Sequence, residues 1–203
     1  MAVYTEVTFE QAAALVDSIG LGTLRSLAPC KGGIENTNYF ADTARGRFVV
    51  TVFERLGAEE LPFYLQLMKH HADHALPVPR PHPGPSGSLV LDLAGKPAAV
   101  VDRLPGEHHL APDAADCAAV GHVLARLHAS ARDFAPAQPN LRGLAWWSET
   151  VPVVVPHLGG EQAALMEDEL AYQRHLAASS AFATLPRAAF HGDLFRDNVM
   201  FVE

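Results

Sequence analysis

The sequence predicts an α+β protein in two parts, a strand-rich first half and a helical second half. Three observations lead there. Residues Arg47 to Glu54 alternate in β-branched and aromatic side chains, with Phe48, Val50 and Val52 on one face. After Asp113 the apolar residues recur at the helical period instead. Between the two regimes, Val101 to Gly106 reads as an extended hinge. A chain of 203 residues is long enough for two small lobes that share a cleft. The boundary is expected at the hinge, giving parts 1–103 and 104–203.

The elements follow in order. Phe9, Ala12, Ala13, Leu15, Val16 and Ile19 fall on one helical stripe, with Thr8 placed to cap the start and Gly20 to end it. Leu24 to Ala28 reads as a strand. Asn38 to Ala41 and Arg47 to Glu54 flank "DTARG" and form a hairpin, so "CKGGIEN" is a glycine-containing loop between strands. Glu59 to His74 is helical, with Leu61, Tyr64, Leu65, Met68 and His71 on one stripe. "ALPVPRPHPGPSG" holds five prolines, which end that helix and keep the chain extended. "SLVLDLAGKPAAVVDRL" reads as two strands joined at "AGKP". Asp113 caps a helix through Ser130 whose apolar positions are Cys117, Val120, Val123, Leu124 and Leu127. A further helix spans about Gly160 to Ala178. "VMFV", near the end, reads as a short strand. No internal repeat is present.

Bulk composition removes several classes. Hydrophobic residues at 49% and charged residues at 19% are too apolar for a disordered chain. The longest strongly apolar run, "VPVVVPHL", is broken by two prolines and is far too short to span a bilayer. The net charge of −8 is spread along the chain, with no basic tract for nucleic acid or anionic lipid. The N-terminus does not read as a secretory signal, and Cys30 and Cys117 match no metal or redox spacing. The expectation is a cytoplasmic protein with reduced thiols, no nucleic-acid partner and no membrane partner.

The chemistry concentrates in "HGDLFRDN", where Asp193 follows His191 by two residues and Asn198 follows Asp193 by five. The catalytic loop of kinases reads H-R-D-L-x-x-x-N, and only the Arg differs here, replaced by Gly192. The spacing has a mechanical reason. The Asp orients an attacking hydroxyl and takes its proton, and the Asn turns back to hold a magnesium ion that bridges nucleotide phosphates. The bland alternative is an ordinary turn, where Asp and Asn are common. His191 reads as a brace for the loop. "HHADH" has His70 and His74 one helical turn apart, but His71 stands where a zinc-protease motif needs Glu, so a packed, partly exposed helix is favoured. His108 and His109 sit beside the hinge, either near substrate or merely in a loop. His128 reads as packing at a helix end by the catalytic loop, and Trp146 and Trp147 as core. No G-x-S-x-G and no Walker loop is present.

These stretches carry a resemblance that covers nearly the whole chain: "GGIENTNYF", "GRFVVTVFE", "LPFYLQLM", "LPVPRP", "AAVVDRLPGE", "VGHVLARLHAS" and "HGDLFRDNVMF". The chain is similar to the aminoglycoside-phosphotransferase-like kinases and, within them, to the bacterial homoserine kinases of that fold. The resemblance implies a bilobal, protein-kinase-like fold with a β-rich N-lobe that binds nucleotide and a helical C-lobe. It implies phosphorylation of the L-homoserine hydroxyl by ATP with Mg²⁺, on the route to threonine. Asp193 would be the catalytic base and Asn198 a magnesium ligand. Gly32, Gly33 and Asn36 would lie at the phosphates, and the backbone from Val101 to Leu104 at the adenine.

Two departures from the family pattern stand out. The strand "FVVTVFE" carries Thr51 where kinase-like folds usually carry a phosphate-binding Lys, so that cation is unassigned. The family also has a later strand whose Asp binds magnesium, followed by helices that complete the C-lobe. Neither lies within the 203 residues, so the C-lobe is expected to be incomplete. Magnesium–nucleotide binding would then be weak, and apolar surface left open would favour self-association. A kinase for another small alcohol (choline, methylthioribose or an aminoglycoside) and a non-catalytic nucleotide-binding fragment stay open beside the main reading.

Overall fold

A computed structural model of the chain describes residues 4–30 and 35–202. Two compact units are present, Met1–Ala135 with Ala189–Glu203, and Pro136–Ala188. The first contains a sheet of five strands, β1 (Leu24–Pro29), β2 (Asn36–Thr43), β3 (Arg47–Phe53), β4 (Leu91–Leu93) and β5 (Lys96–Asp102). The order is β1-β2-β3-β5-β4, with every pair antiparallel.

Period-two alternation gives this sheet two different faces. Helix α1 (Phe9–Ser18) packs on one. Its start is fixed by a capping box. The Thr8 hydroxyl accepts from the Gln11 N–H at 3.2 Å, and the Gln11 side chain accepts from the Thr8 N–H at 2.9 Å. Ala12, Leu15 and Val16 then join Tyr39, Phe48, Val50, Val52 and Val100 in the main core. At the edge of this face the Glu54 carboxylate, nearly buried, accepts from Lys96, Thr37 and Thr5. Burial raises its pKa, but those donors outweigh it and hold the carboxyl below the usual range. Thr37 also accepts from the backbone N–H of Tyr4 and Thr5, which sews the start of the chain to the sheet.

Helix α2 (Leu61–Asp73) covers part of the other face. Leu61 and Leu65 pack with Leu89, Ala99 and Phe53. Tyr64, expected on the same stripe, is exposed. The proline-rich segment that follows runs extended, as its composition requires. Pro81 bridges Val101, and the His82 N–H donates to the Val100 carbonyl at 2.9 Å. Helix α3 (Ala114–Ser130) starts at a second capping box, Asp113 with Asp116. Leu127 is its buried contact, and Cys117 is exposed.

The ends of α2 and α3 meet through histidines. His70 Nε2 lies 2.8 Å from the Ser130 carbonyl, and His71 Nδ1 lies 2.7 Å from the Ser130 hydroxyl. His74 Nδ1 turns back to the His70 carbonyl at 2.8 Å. These rings are structural, and no group of three or more metal-binding side chains exists among the described residues.

The second unit holds α4 (Leu144–Val154), α5 (Gly160–Ala177) and α6 (Ser180–Ala183). Helix α4 was not foreseen. Its β-branched run and the internal Pro152 argue locally against a helix, yet Val151 is buried and the turn continues. Trp146, expected in the core, is 39% exposed, with the Arg142 guanidinium 5.2 Å from its ring. The expected strand "VMFV" is not one. Only Phe201 pairs, as a single antiparallel bridge to Glu107. Among the described residues no helix is long and apolar enough to cross a membrane.

Burial, and then the neighbouring His70, His74 and His128, lower the pKa of His71. The unfolded chain therefore binds the proton more readily, so stability falls as pH drops below about 6.5. The melting temperature should decline from about pH 7.5 to about pH 5.5, and less steeply in His71→Asn. Equal slopes in thermal scans of the two proteins would contradict this account.

Candidate active site

The loop from His191 to Asn198 is open to solvent, with Asp193 and Asn198 both exposed. Its shape comes from its own polar groups. The Asn198 side-chain amide donates to the Asp193 carbonyl at 2.8 Å, and the same Nδ2 lies 3.4 Å from Asp193 Oδ2. The Asp193 N–H donates to His191 Nδ1 at 3.3 Å, so His191 braces the loop. A 3-10 turn over Arg196–Asn198 brings Asn198 back toward Asp193. Asp and Asn at this spacing thus converge, as the pattern requires. With Nδ2 turned inward, the Asn198 Oδ1 is left as an oxygen ligand, which suits a hard cation such as magnesium.

The loop has no core of its own and is held by the segment after β5. Glu107 and Phe201 exchange backbone hydrogen bonds, each 2.9 Å. The Arg196 guanidinium donates to the Leu110 carbonyl at 2.7 Å. His108 Nδ1 lies 2.7 Å from the Val199 carbonyl and must donate, because a carbonyl only accepts. The His109 ring stacks on Phe201 with centroids 4.2 Å apart. His109 also bonds Asp116 at 3.0 Å, and this bond, with the Asp113 N–H, keeps the Asp116 carboxyl below its ordinary pKa. His108 and His109 therefore support the loop, a role sequence alone left undecided. His128 meets Phe190 edge to face at 6.4 Å, at a helix end as expected.

Gly106 permits the close approach. Its φ is +119°, and a Cβ there would stand 2.5 Å from the Phe201 carbonyl oxygen. Beside it lies an open cavity of about 640 Å³ lined by Gly106, Glu107, His109, Asp116, Phe201 and Val202.

The other predicted residues divide. Gly32 and Gly33 lie outside the described residues. Asn36 is the first residue of β2, opposite Phe53. Val101 stands between Val49 of β3 and Pro81, so it belongs to the sheet interior and not to an edge. The Arg103 N–H donates to the Arg47 carbonyl at 3.0 Å, and the chain leaves the sheet at Leu104. From Leu104 it runs directly into Gly106–Leu110, the segment that carries the loop. Sequence reasoning missed Gly106, Glu107 and Arg196. Their partners lie 86 or more residues away, and only the Gly in "LPGE" hinted at a close approach.

Gly106→Ala should force the Phe201 carbonyl away and destabilise the chain by about 1–3 kcal/mol. Amide exchange at Glu107 and Phe201 should quicken. Unchanged exchange at both amides would show that the close approach is not needed.

The phosphotransferase enzyme family matches residues 26–203. Over 201 residues the chain is 57% identical to a homoserine kinase of Polaromonas naphthalenivorans, covering 99% of this chain and 64% of that protein. A homoserine kinase of Paraburkholderia phytofirmans is 50% identical over 201 residues, 99% of this chain and 61% of its own length. The chain thus spans less than two thirds of these relatives. Among solved structures, spectinomycin phosphotransferase in complex with ADP and spectinomycin superposes with a TM-score of 0.62 at 12% identity, covering 98% of this chain and 67% of that one. The fold is therefore α+β and kinase-like, and the chain belongs to the phosphotransferase enzyme family.

Proposed function

We propose that this chain is the nucleotide-binding and catalytic-loop portion of an ATP-dependent kinase that phosphorylates the hydroxyl of L-homoserine. The loop geometry supports the chemistry, and the observation that carries the substrate is the 57% identity to a homoserine kinase across 201 residues. Residues 1–103 serve the nucleotide, and 104–203 bring the catalytic loop.

Asp193 orients the homoserine hydroxyl and takes its proton as the oxygen attacks the γ-phosphorus. The new O–P bond forms as the bond between the γ-phosphorus and the β–γ bridging oxygen breaks, and ADP leaves. Asn198 stiffens Asp193 through the 2.8 Å bond to its carbonyl. The Asn198 Oδ1 would hold magnesium, leaving the Asp193 carboxylate free to take the proton. When bound, the ion neutralises phosphate charge. The backbone at Val101 and Leu104 meets adenine, while Gly32, Gly33 and Asn36 lie at the phosphates. Phosphoryl transfer needs positioning and charge neutralisation more than covalent chemistry, so an exposed carboxylate on a loop braced by the His191 and Asn198 side chains suffices as the protein's reacting group.

The test is ³¹P NMR of the purified chain with ATP, Mg²⁺ and L-homoserine, beside Asp193→Asn. O-phospho-L-homoserine should form only slowly, because the chain holds magnesium–nucleotide weakly, and the substitution should cut that rate by about 10²–10⁴-fold without lowering the melting temperature. Wild-type-like turnover in the variant would remove Asp193 from the mechanism. ATP binding with no product would make the chain a nucleotide-binding fragment without transfer activity.

A further inference from the structure

The kinase-type strand cation is absent at Thr51, and the sheet shows what stands there instead. Thr51 of β3 lies directly opposite Asn38 of β2. Its hydroxyl donates to Asn38 Oδ1 at 2.7 Å. Both side chains are half-buried and lie on the face away from α1, since Thr37, Tyr39, Val50 and Val52 fill the α1 side. The bond fixes the amide plane. With Oδ1 committed to Thr51, the two N–H donors of Nδ2 are turned away from it, and they have no protein acceptor among the described residues. Because Asn38 is half-buried, these two donors stay open on this face to solvent or to a ligand.

The surroundings fit a nucleotide. Asn38 sits two residues from the start of β2, at the sheet end next to the β1–β2 connection. Toward the hinge end the same face turns apolar through Phe40, Val49 and Val101. Polar donors at one end and the apolar Val49 and Val101 at the other, beside Phe40 with the Arg103 guanidinium over its ring, match phosphate and base. Among the described residues, the nearby cations have other partners. Lys96 is bound by Glu54 and Thr5 on the α1 face. The Arg103 guanidinium lies 3.8 Å over the Phe40 ring. Arg55 pairs with Glu35 at 3.9 Å on the exposed surface.

We infer that Asn38, oriented by Thr51, binds the nucleotide phosphates through its amide N–H groups and so replaces the strand cation with a neutral donor. Asn38 is the binding residue, and Thr51 is a positioning residue that acts through it. The inference rests on the nucleotide-dependent reading above.

Calorimetric titration of the purified chain with MgATP and, separately, with adenosine tests it on wild type, Asn38→Ala, Thr51→Val and Thr51→Ser. Asn38→Ala and Thr51→Val should weaken MgATP binding by about tenfold. Adenosine binding should stay within about twofold, since it has no phosphate to lose. Thr51→Ser keeps the hydroxyl and should bind MgATP like wild type. Unchanged MgATP affinity in Asn38→Ala, while wild type binds, overturns this inference alone. Parallel losses of MgATP and adenosine binding would mean that the pair only supports the sheet, and also overturn it. A wild-type chain that binds neither ligand overturns both this inference and the proposed function.

Discussion

Two backbone hydrogen bonds between Glu107 and Phe201, each 2.9 Å, tie the His191–Asn198 loop to the segment that leaves the sheet. The loop buries almost nothing, so without them Asp193 and Asn198 would have local order but no fixed place. Arg196 to Leu110 and His108 to Val199 add two anchors. Each such bond is worth about 1 kcal/mol net, so together they compete with the entropy of ordering a short exposed segment. The requirement falls on the backbone, which is why Gly106 stands where the two segments come closest.

The sheet divides its labour between its faces. The α1 side supplies stability through a dense apolar core and the nearly buried Glu54 carboxylate. Removing Glu54 alone would strand Lys96, Thr37 and Thr5 without their acceptor, so the cluster functions as a unit. The other side keeps polar groups half-exposed, with α2 covering only the region of Ala99, Leu89 and Phe53. A strand can serve both ends because successive side chains point to opposite faces. Thr51 and Val52 are neighbours in sequence, yet one faces Asn38 and the other the core.

What could be read from sequence follows from the range of the interactions. The Thr8 cap and the hairpin across "DTARG" are local patterns that the structure places as read, and the Asp193–Asn198 spacing brings those two residues together. Helix α4 was hidden because Val151 to Val155 carries strand-like residues around Pro152, and tertiary packing overrides that preference. "VMFV" looked like a strand, but Phe201 has a partner only in Glu107, and one bridge does not extend. Trp146 looked like core because it is large and apolar, and it lies instead beside Arg142 with 39% of its surface exposed. Thr51 was legible as a departure. Its partner was not, because that needed the register of β2 on β3.

The central claim is that one nucleotide is shared between the sheet face of Asn38 and Thr51, the exit of β5 and the catalytic loop. The most direct measurement is a titration of ¹⁵N-labelled chain with MgATP, followed by amide chemical shifts. The account predicts the largest shifts at Asn36, Asn38, Thr51, Leu104 and Asn198, with the His70–Ser130 junction unmoved. Shifts confined to that junction or to residues 136–188, with the catalytic loop silent, would contradict it.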